Sequence, residues 1–343
     1  PMYYIKNGLG KKWTWLGGLF CAFGMVAAFG VGNSTQISTA VTSINEALIF
    51  LGLTPSPLGN LMVGLLAGAL VALVILGGAK RIGAVAEYLI PVMSLGYIAL
   101  SLGVLLRNAG AVPGALQSIF AGAFSPKAFT GGAVGSAFLT LRIGVSRGVF
   151  TNEAGMGTAS IAHAGANTRH PAEQGLYGIF EVFADTMVVC TLTALVVLTS
   201  GFVEPDTGRI AAGAAGSALV GQAFDAVFGT LGSKLIAVCI LLFAYSTTLG
   251  WSCYGCKAVE YLFGAGAGTF YRVLFVALMP VGAVMRLDLA WTLSDTFNGL
   301  MMLPNLIGVV ALSGTVVKIT QNHLARKLHG SSAPPLLSAG ETI

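Results

Sequence analysis

Eight stretches of this sequence are each apolar for about the 20 residues that a helix needs to cross the hydrocarbon core of a bilayer. They fall at roughly 13–46, 58–79, 84–106, 131–147, 173–200, 231–252, 272–286 and 290–317. A wet protein surface needs roughly 25% charged residues, whereas this chain of 343 residues has 9% charged and 55% hydrophobic. Most of its surface is therefore solvated by lipid. In hydrocarbon the backbone must satisfy its own N–H and C=O groups, which leaves helices or closed barrels. The ten-residue alternating segments of a barrel are missing, so the expected fold class is an all-α polytopic membrane protein. The 47 glycines suit helices that approach closely, and Gly64 with Gly68 reads as a packing pair.

The loops suggest an orientation. Taking alternate loops from the N-terminus gives twelve Lys and Arg on one side and five on the other, with Arg142 inside a span. Positive residues favour the cytoplasm, so both chain ends are expected there, as an even number of spans also requires. The net charge of +5 is scattered and not interleaved with aromatics, which excludes a nucleic-acid partner. Cys253-Tyr-Gly-Cys256 has no second pair or nearby His to complete a zinc site, and reads as small apolar filler. The start Pro1-Met2-Tyr3-Tyr4 lacks an initiator Met and reads as internal to a longer protein.

Two connections are unusual. Residues 108–130, with Pro113 and Pro126, contain the short apolar stretch Ala115–Phe124, expected to be an interfacial helix. Residues 148–171 mix Gly148, Gly155 and Gly157 with Asn152 and Glu153. Polar, glycine-rich backbone at membrane depth is tolerated only beside protein or a cavity, and the end of a broken helix is one such place.

Polar groups enter the spans at few points. Phe29, Asn33, Gln36 and Ala40 follow i, i+4, i+7, i+11 spacing, which predicts one helical face. An aromatic ring beside two amides suits a small zwitterion; interhelical hydrogen bonding is the alternative. Ser246-Thr247-Thr248 offers hard oxygens for a monovalent cation such as Na⁺, or simple back-bonding to i−4 carbonyls. Trp251 lies one turn beyond Thr247 and reads as a pocket wall or an interfacial anchor. Arg142, Glu181, Asp185 and Asp295 are charges inside spans, each a functional candidate by default. Arg142 is the expected partner of Asp185 or Glu181. Asn298 and Pro304 predict a polar, kinked last helix.

No strand precedes Gly30-Val-Gly32, and no GxSxG, HExxH or Walker sequence occurs. His163 and His170 are too isolated in sequence to argue a catalytic pair. An enzyme needs a convergent nucleophile or metal set, so none is expected, nor any cofactor.

The long motif Arg147-Gly-Val-Phe-Thr-Asn-Glu-Ala-Gly-Met-Gly-Thr-Ala-Ser-Ile-Ala-His163, with His170-Pro-Ala-Glu-Gln-Gly175 and Asp185-Thr-Met-Val-Val-Cys-Thr191, resembles the alanine or glycine:cation symporter family. Pro1–Tyr4, Ile75–Gly78, Thr247–Trp251 and Asn298–Asn305 agree. The resemblance implies a LeuT-type inverted-repeat bundle of eleven helices, of which about eight are present. Residues 1–106 would hold three helices of the first repeat, 131–317 five of the second, and 321–343 a cytoplasmic tail. It implies sodium-coupled symport of alanine or glycine across a prokaryotic plasma membrane. It puts Ser246 and Thr247 at the cation-binding positions, while the residue pattern itself makes Phe29, Asn33, Gln36, Thr247 and Trp251 the expected substrate contacts. Arg142, Asn152, Glu153, Asp185, Asp295 and Asn298 would serve as polar or gating positions. Cys256, Cys253 and Thr248 depart from the acidic, aromatic and apolar residues expected there. The competing readings are a proton-coupled carrier of another small solute, or a channel, which needs a continuous polar pore.

Overall fold

Each apolar run folds into a helix, because a helix closes its backbone hydrogen bonds within one segment. The computed structural model describes residues 1–50, 52–124, 134–204, 210, 216–338 and 341–342. A short helix α1 (Met2–Gly8) precedes the long α2 (Lys11–Ile49), α3 (Pro57–Ile75), α4 (Gly78–Arg107) and α5 (Ala109–Phe124). Then come α6 (Val134–Asn152), α7 (Thr158–His163), α8 (Pro171–Thr199) and α9 (Ser217–Phe228). The chain continues with α10 (Leu231–Phe263), α11 (Ala267–Val284) and α12 (Leu287–His329). A small antiparallel pair, β1 (Leu336–Ser338) and β2 (Glu341–Thr342), comes last.

Among the described residues, α2, α3, α4, α8, α10, α11 and α12 are long and apolar enough to cross a membrane. The expected span at 131–147 falls on α6; its first residues lie outside the described residues, as do Pro126, Lys127 and Arg209. The chain is thus a polytopic helical membrane protein. The expected interfacial stretch is helical, as α5.

The main core gathers around α2. Phe20, Cys21 and Val31 of α2 meet Leu249 and Trp251 of α10, Phe275 and Met279 of α11, and Met301 of α12. A smaller core joins Tyr97 and Val104 of α4 to Val196 of α8, Phe224 of α9 and Ile236 of α10. Small residues set the close contacts. A side chain at Gly64 would meet the Ala283 methyl at 2.5 Å and Pro280 at 2.9 Å, and one at Gly68 would touch Met279 at 3.7 Å, so this pair packs α3 on α11. Leu58, Leu66 and Leu73 of α3 stay exposed, as suits a face turned to lipid.

Three interruptions break this regularity. Ala28–Ser34 in α2 and Ala184–Cys190 in α8 are π-helical turns, a distortion often found at functional sites. The third is a true break between α6 and α7. There Glu153 has φ +54°, and Gly155 and Gly157 have φ +79° and +90°, values that glycine alone adopts without strain. Side chains replace the missing helical bonds. Asn152 Oδ1 accepts from the Ala154 N–H at 2.9 Å. Asn305 of α12 donates to the Gly155 carbonyl at 2.8 Å, and the Tyr4 hydroxyl donates to Asn305 Oδ1.

This clamp generates a prediction. Asn305→Leu leaves the Gly155 carbonyl without its side-chain donor and takes the Asn305 acceptor from the Tyr4 hydroxyl, at a cost of about 1–3 kcal/mol for an unsatisfied group. The purified protein should melt earlier, and amide exchange at residues 154–157 should accelerate. Wild-type exchange there would show that the break holds its shape without Asn305.

Candidate functional site

The candidate residues sort into three places around the break. The first is the seam between α2, α10 and α11. A π turn inserts one extra residue into a helix, which rotates the residues beyond it by about 100°. Phe29 and Asn33 lie inside this turn and Gln36 just beyond it. Phe29 packs against Tyr271 and Phe275, with ring centroids 5.0 and 5.6 Å away. Asn33 is fully buried and donates Nδ2 to the Phe275 carbonyl at 2.6 Å. Its Oδ1 is buried without a partner among the described residues. Gln36 is half-buried and donates to the Val31 carbonyl at 3.0 Å, inside its own helix.

Trp251 is buried over Gly32, where no Cβ could fit, and meets Tyr254 edge-on at 5.6 Å. One turn earlier the three hydroxyls differ. Ser246 donates to the Phe243 carbonyl at 2.9 Å and Thr248 to the Ala244 carbonyl at 2.8 Å. Thr247 is half-buried, and its hydroxyl has no hydrogen-bond partner among the described residues. Among the described residues no cluster of three or more His, Cys, Asp or Glu could hold a metal. A weakly held monovalent cation would have to use hydroxyl and carbonyl oxygens instead.

The second place is a cavity of about 240 Å³ lined by Thr151, Asn152, Glu153, His163, Glu181, Asp185 and Tyr254. The break supplies Asn152 and Glu153, and the second π turn supplies Asp185. Asp185 accepts from Thr151 at 3.1 Å, and Glu153 accepts from Thr158. His163 Nε2 lies 3.1 Å from Glu181 Oε2, and its Nδ1 lies 2.6 Å from Gln174. Three carboxylates and one imidazole thus share a small polar space.

The third is a groove of about 380 Å³ between α6 and α12, lined by Arg142, Phe150, Asp295 and Asn298 among others. Asp295 pairs with Arg147, whose guanidinium lies 4.5 Å from the centre of the Trp291 ring. Asn298 is buried, with Oδ1 unpartnered among the described residues.

Two expectations are corrected here. Arg142 is exposed and pairs with neither Asp185 nor Glu181; those acids face Thr151 and His163. Arg147, counted as a loop cation, instead lies in α6 and makes the ion pair to Asp295. Sequence reasoning set His163 aside as isolated and gave no role to Tyr4 or Asn305. Asn305 and His163 both stood inside the quoted motifs, which was the available signal. Their partners are 150 and 18 residues away.

The sodium:alanine symporter family model matches residues 1–335. The sodium/alanine symporter AgcS of Methanococcus maripaludis is 40% identical over 327 residues, covering 94% of this chain and 68% of that protein. The probable sodium/glutamine symporter GlnT of Bacillus subtilis is 35% identical over 332 residues, covering 96% of this chain and 65% of its own length. A sodium/proton-dependent alanine carrier protein of Bacillus sp. (strain PS3) is 30% identical over 303 residues, covering 82% and 67%. The chain spans about two thirds of the length of these relatives. Since the family model spans nearly the whole chain, the break included, the chain belongs to the sodium:alanine symporter family.

Proposed function

We propose that this chain carries the transport pathway of a sodium-coupled symporter for small neutral amino acids, alanine first among them, working by alternating access. The observation that carries this reading is the break at Asn152–Gly157, which opens α6 onto a polar cavity in a member of this family. Broken helices near the midplane offer helix-end dipoles to a substrate and free carbonyls to a coupling ion. In the LeuT-type arrangement proposed here, α2, α3 and α4 belong to one repeat. The pair α6–α7 together with α8, α10, α11 and α12 forms the other.

Within that frame Thr247 offers Na⁺ its uncommitted hydroxyl, and the Ser246 oxygen retains a lone pair while donating to Phe243. Asn33 Oδ1 is an acceptor for a substrate ammonium group. Phe29 and Trp251 supply the apolar walls for a side chain as small as a methyl. A channel would need an open polar pore, and the buried Trp251 over Gly32 fills the seam where one would run.

Proteoliposomes holding a full-length family member that contains this sequence should accumulate labelled alanine when an inward sodium gradient is imposed. Accumulation driven by a proton gradient in the absence of sodium would replace this coupling with the proton reading, for which His163, Glu181 and Asp185 are the available groups.

Thr247→Val keeps the side-chain shape and removes the oxygen. The sodium concentration for half-maximal uptake should rise at least fivefold, with protein levels unchanged. Thr248→Val, which removes a hydroxyl already spent on Ala244, should leave it within twofold. Equal sodium dependence in both variants rejects Thr247 as a ligand.

Asn33→Leu removes the acceptor and should weaken alanine binding by about 5- to 150-fold, the equivalent of 1–3 kcal/mol. The melting temperature is measured in parallel, because the bond to the Phe275 carbonyl is lost as well. A lower melting point with wild-type alanine affinity would make Asn33 a packing residue.

A further inference from the structure

One charged cluster lies outside these three places. The link before α8 and the last turns of α12 meet at a cavity of about 400 Å³. Arg169, His170 and Glu173 line it from one side, and His323, Arg326 and Lys327 from the other. Pro335 and Leu337 of the C-terminal segment form a further wall. That segment is tied down, since Asn322 donates to the Pro334 carbonyl at 3.0 Å and accepts from the Leu336 N–H at 2.9 Å.

The charges do not balance. Lys327 pairs with Glu173 at 2.7 Å, which neutralises both. Arg169 and Arg326 have no ion-pair partner among the described residues. The first turn of α8, thirteen α-helical residues before its π turn, adds the positive end of a helix dipole.

His170 gives a second, independent sign. It is 5% exposed and packs against His323 with ring centroids 4.3 Å apart and the rings tilted by 32°. Its Nδ1 accepts from the Ala172 N–H at 3.2 Å. Burial and the His323 ring hold the imidazole below its ordinary pKa, so the neutral ring carries its proton on Nε2. That Nε2 is shielded from solvent and has no acceptor in hydrogen-bonding geometry, although the Leu336 backbone lies near enough to act on the ring. A buried donor without an acceptor is costly, and here it sits among surplus positive charge.

We infer that this cavity is a binding site for a phosphate group, held by Arg169, Arg326 and His170. Basic pockets between helices at the membrane surface are suited to phospholipid headgroups. The position agrees, because α8 starts here and His323–Lys327 lies just beyond the apolar 290–317 stretch of α12. The same chemistry would accept free phosphate, and the test separates the two sources.

The 343-residue chain is purified and placed in phosphatidylcholine nanodiscs, with and without phosphatidylglycerol. Inorganic phosphate is titrated by calorimetry, and retained lipid is measured by native mass spectrometry. Saturable phosphate binding alone identifies a soluble anion as the source; selective retention of phosphatidylglycerol identifies the lipid. Either result must weaken at least tenfold in Arg169→Gln/Arg326→Gln and recover in part in Arg169→Lys/Arg326→Lys. Lys11→Gln/Lys12→Gln removes two charges elsewhere and should change binding less than twofold. Melting curves identify any variant that fails to fold, and the lysine pair keeps the test open in that case. No binding of either probe, or equal weakening in the Lys11/Lys12 pair, overturns the site.

Discussion

The fold depends on the absence of water in the hydrocarbon core. Each unpaired backbone group there costs several kcal/mol, so a helix can be interrupted only where something else makes its bonds. The break after Asn152 meets that condition residue by residue. The Asn152 side chain caps the turn it begins, and Asn305 reaches the Gly155 carbonyl from α12. Tyr4, from the start of the chain, holds Asn305 in place. Two distant segments therefore help to secure five residues of irregular backbone. A feature secured at that cost is where a moving, ligand-binding element would be expected.

The charges follow the same rule in different ways. Arg147 and Asp295 neutralise each other and tie the broken helix to α12, with Trp291 covering the cation. Glu153, Glu181 and Asp185 instead collect in a cavity and lean on hydroxyls and one histidine. The first arrangement is closed, since each charge has its partner. The second sets three carboxyl groups around one histidine beside the break.

Much of this was legible in the sequence. Periods of apolar residues set the helices, and Gly64 with Gly68 marked a close contact that the α3–α11 packing contains. The Gly-rich polar stretch 148–171 pointed to protein or a cavity beside it, with the end of a broken helix as one option, and the break falls inside it after Asn152. The charge pairing was not readable, and the reason is geometric. The apolar run at 131–147 stops short, whereas α6 continues to Asn152. That shift of five residues exceeds a full turn, so it moved the estimated depth of Arg142 and turned Arg147 from a loop residue into the helix's working cation. The π turns were hidden for a related reason. A one-residue insertion leaves no compositional trace, although Phe29 and Asn33 lie inside the turn that it makes.

The hydroxyl run at 246–248 shows what only coordinates could decide. In sequence the three residues are nearly equivalent, and each can return its hydrogen to a carbonyl one turn back. On a helix they point about 100° apart, so each meets a different environment. Thr248 faces the core, fully buried and bonded to Ala244. Ser246 bonds to Phe243 and approaches the Met93 sulfur at 3.6 Å. Thr247 alone is left uncommitted among the described residues. A hydroxyl already donating to a carbonyl can still offer a lone pair to a cation. One with no such bond is free to turn both its lone pairs and its hydrogen to suit a ligand. The position with the least to lose on binding is therefore Thr247.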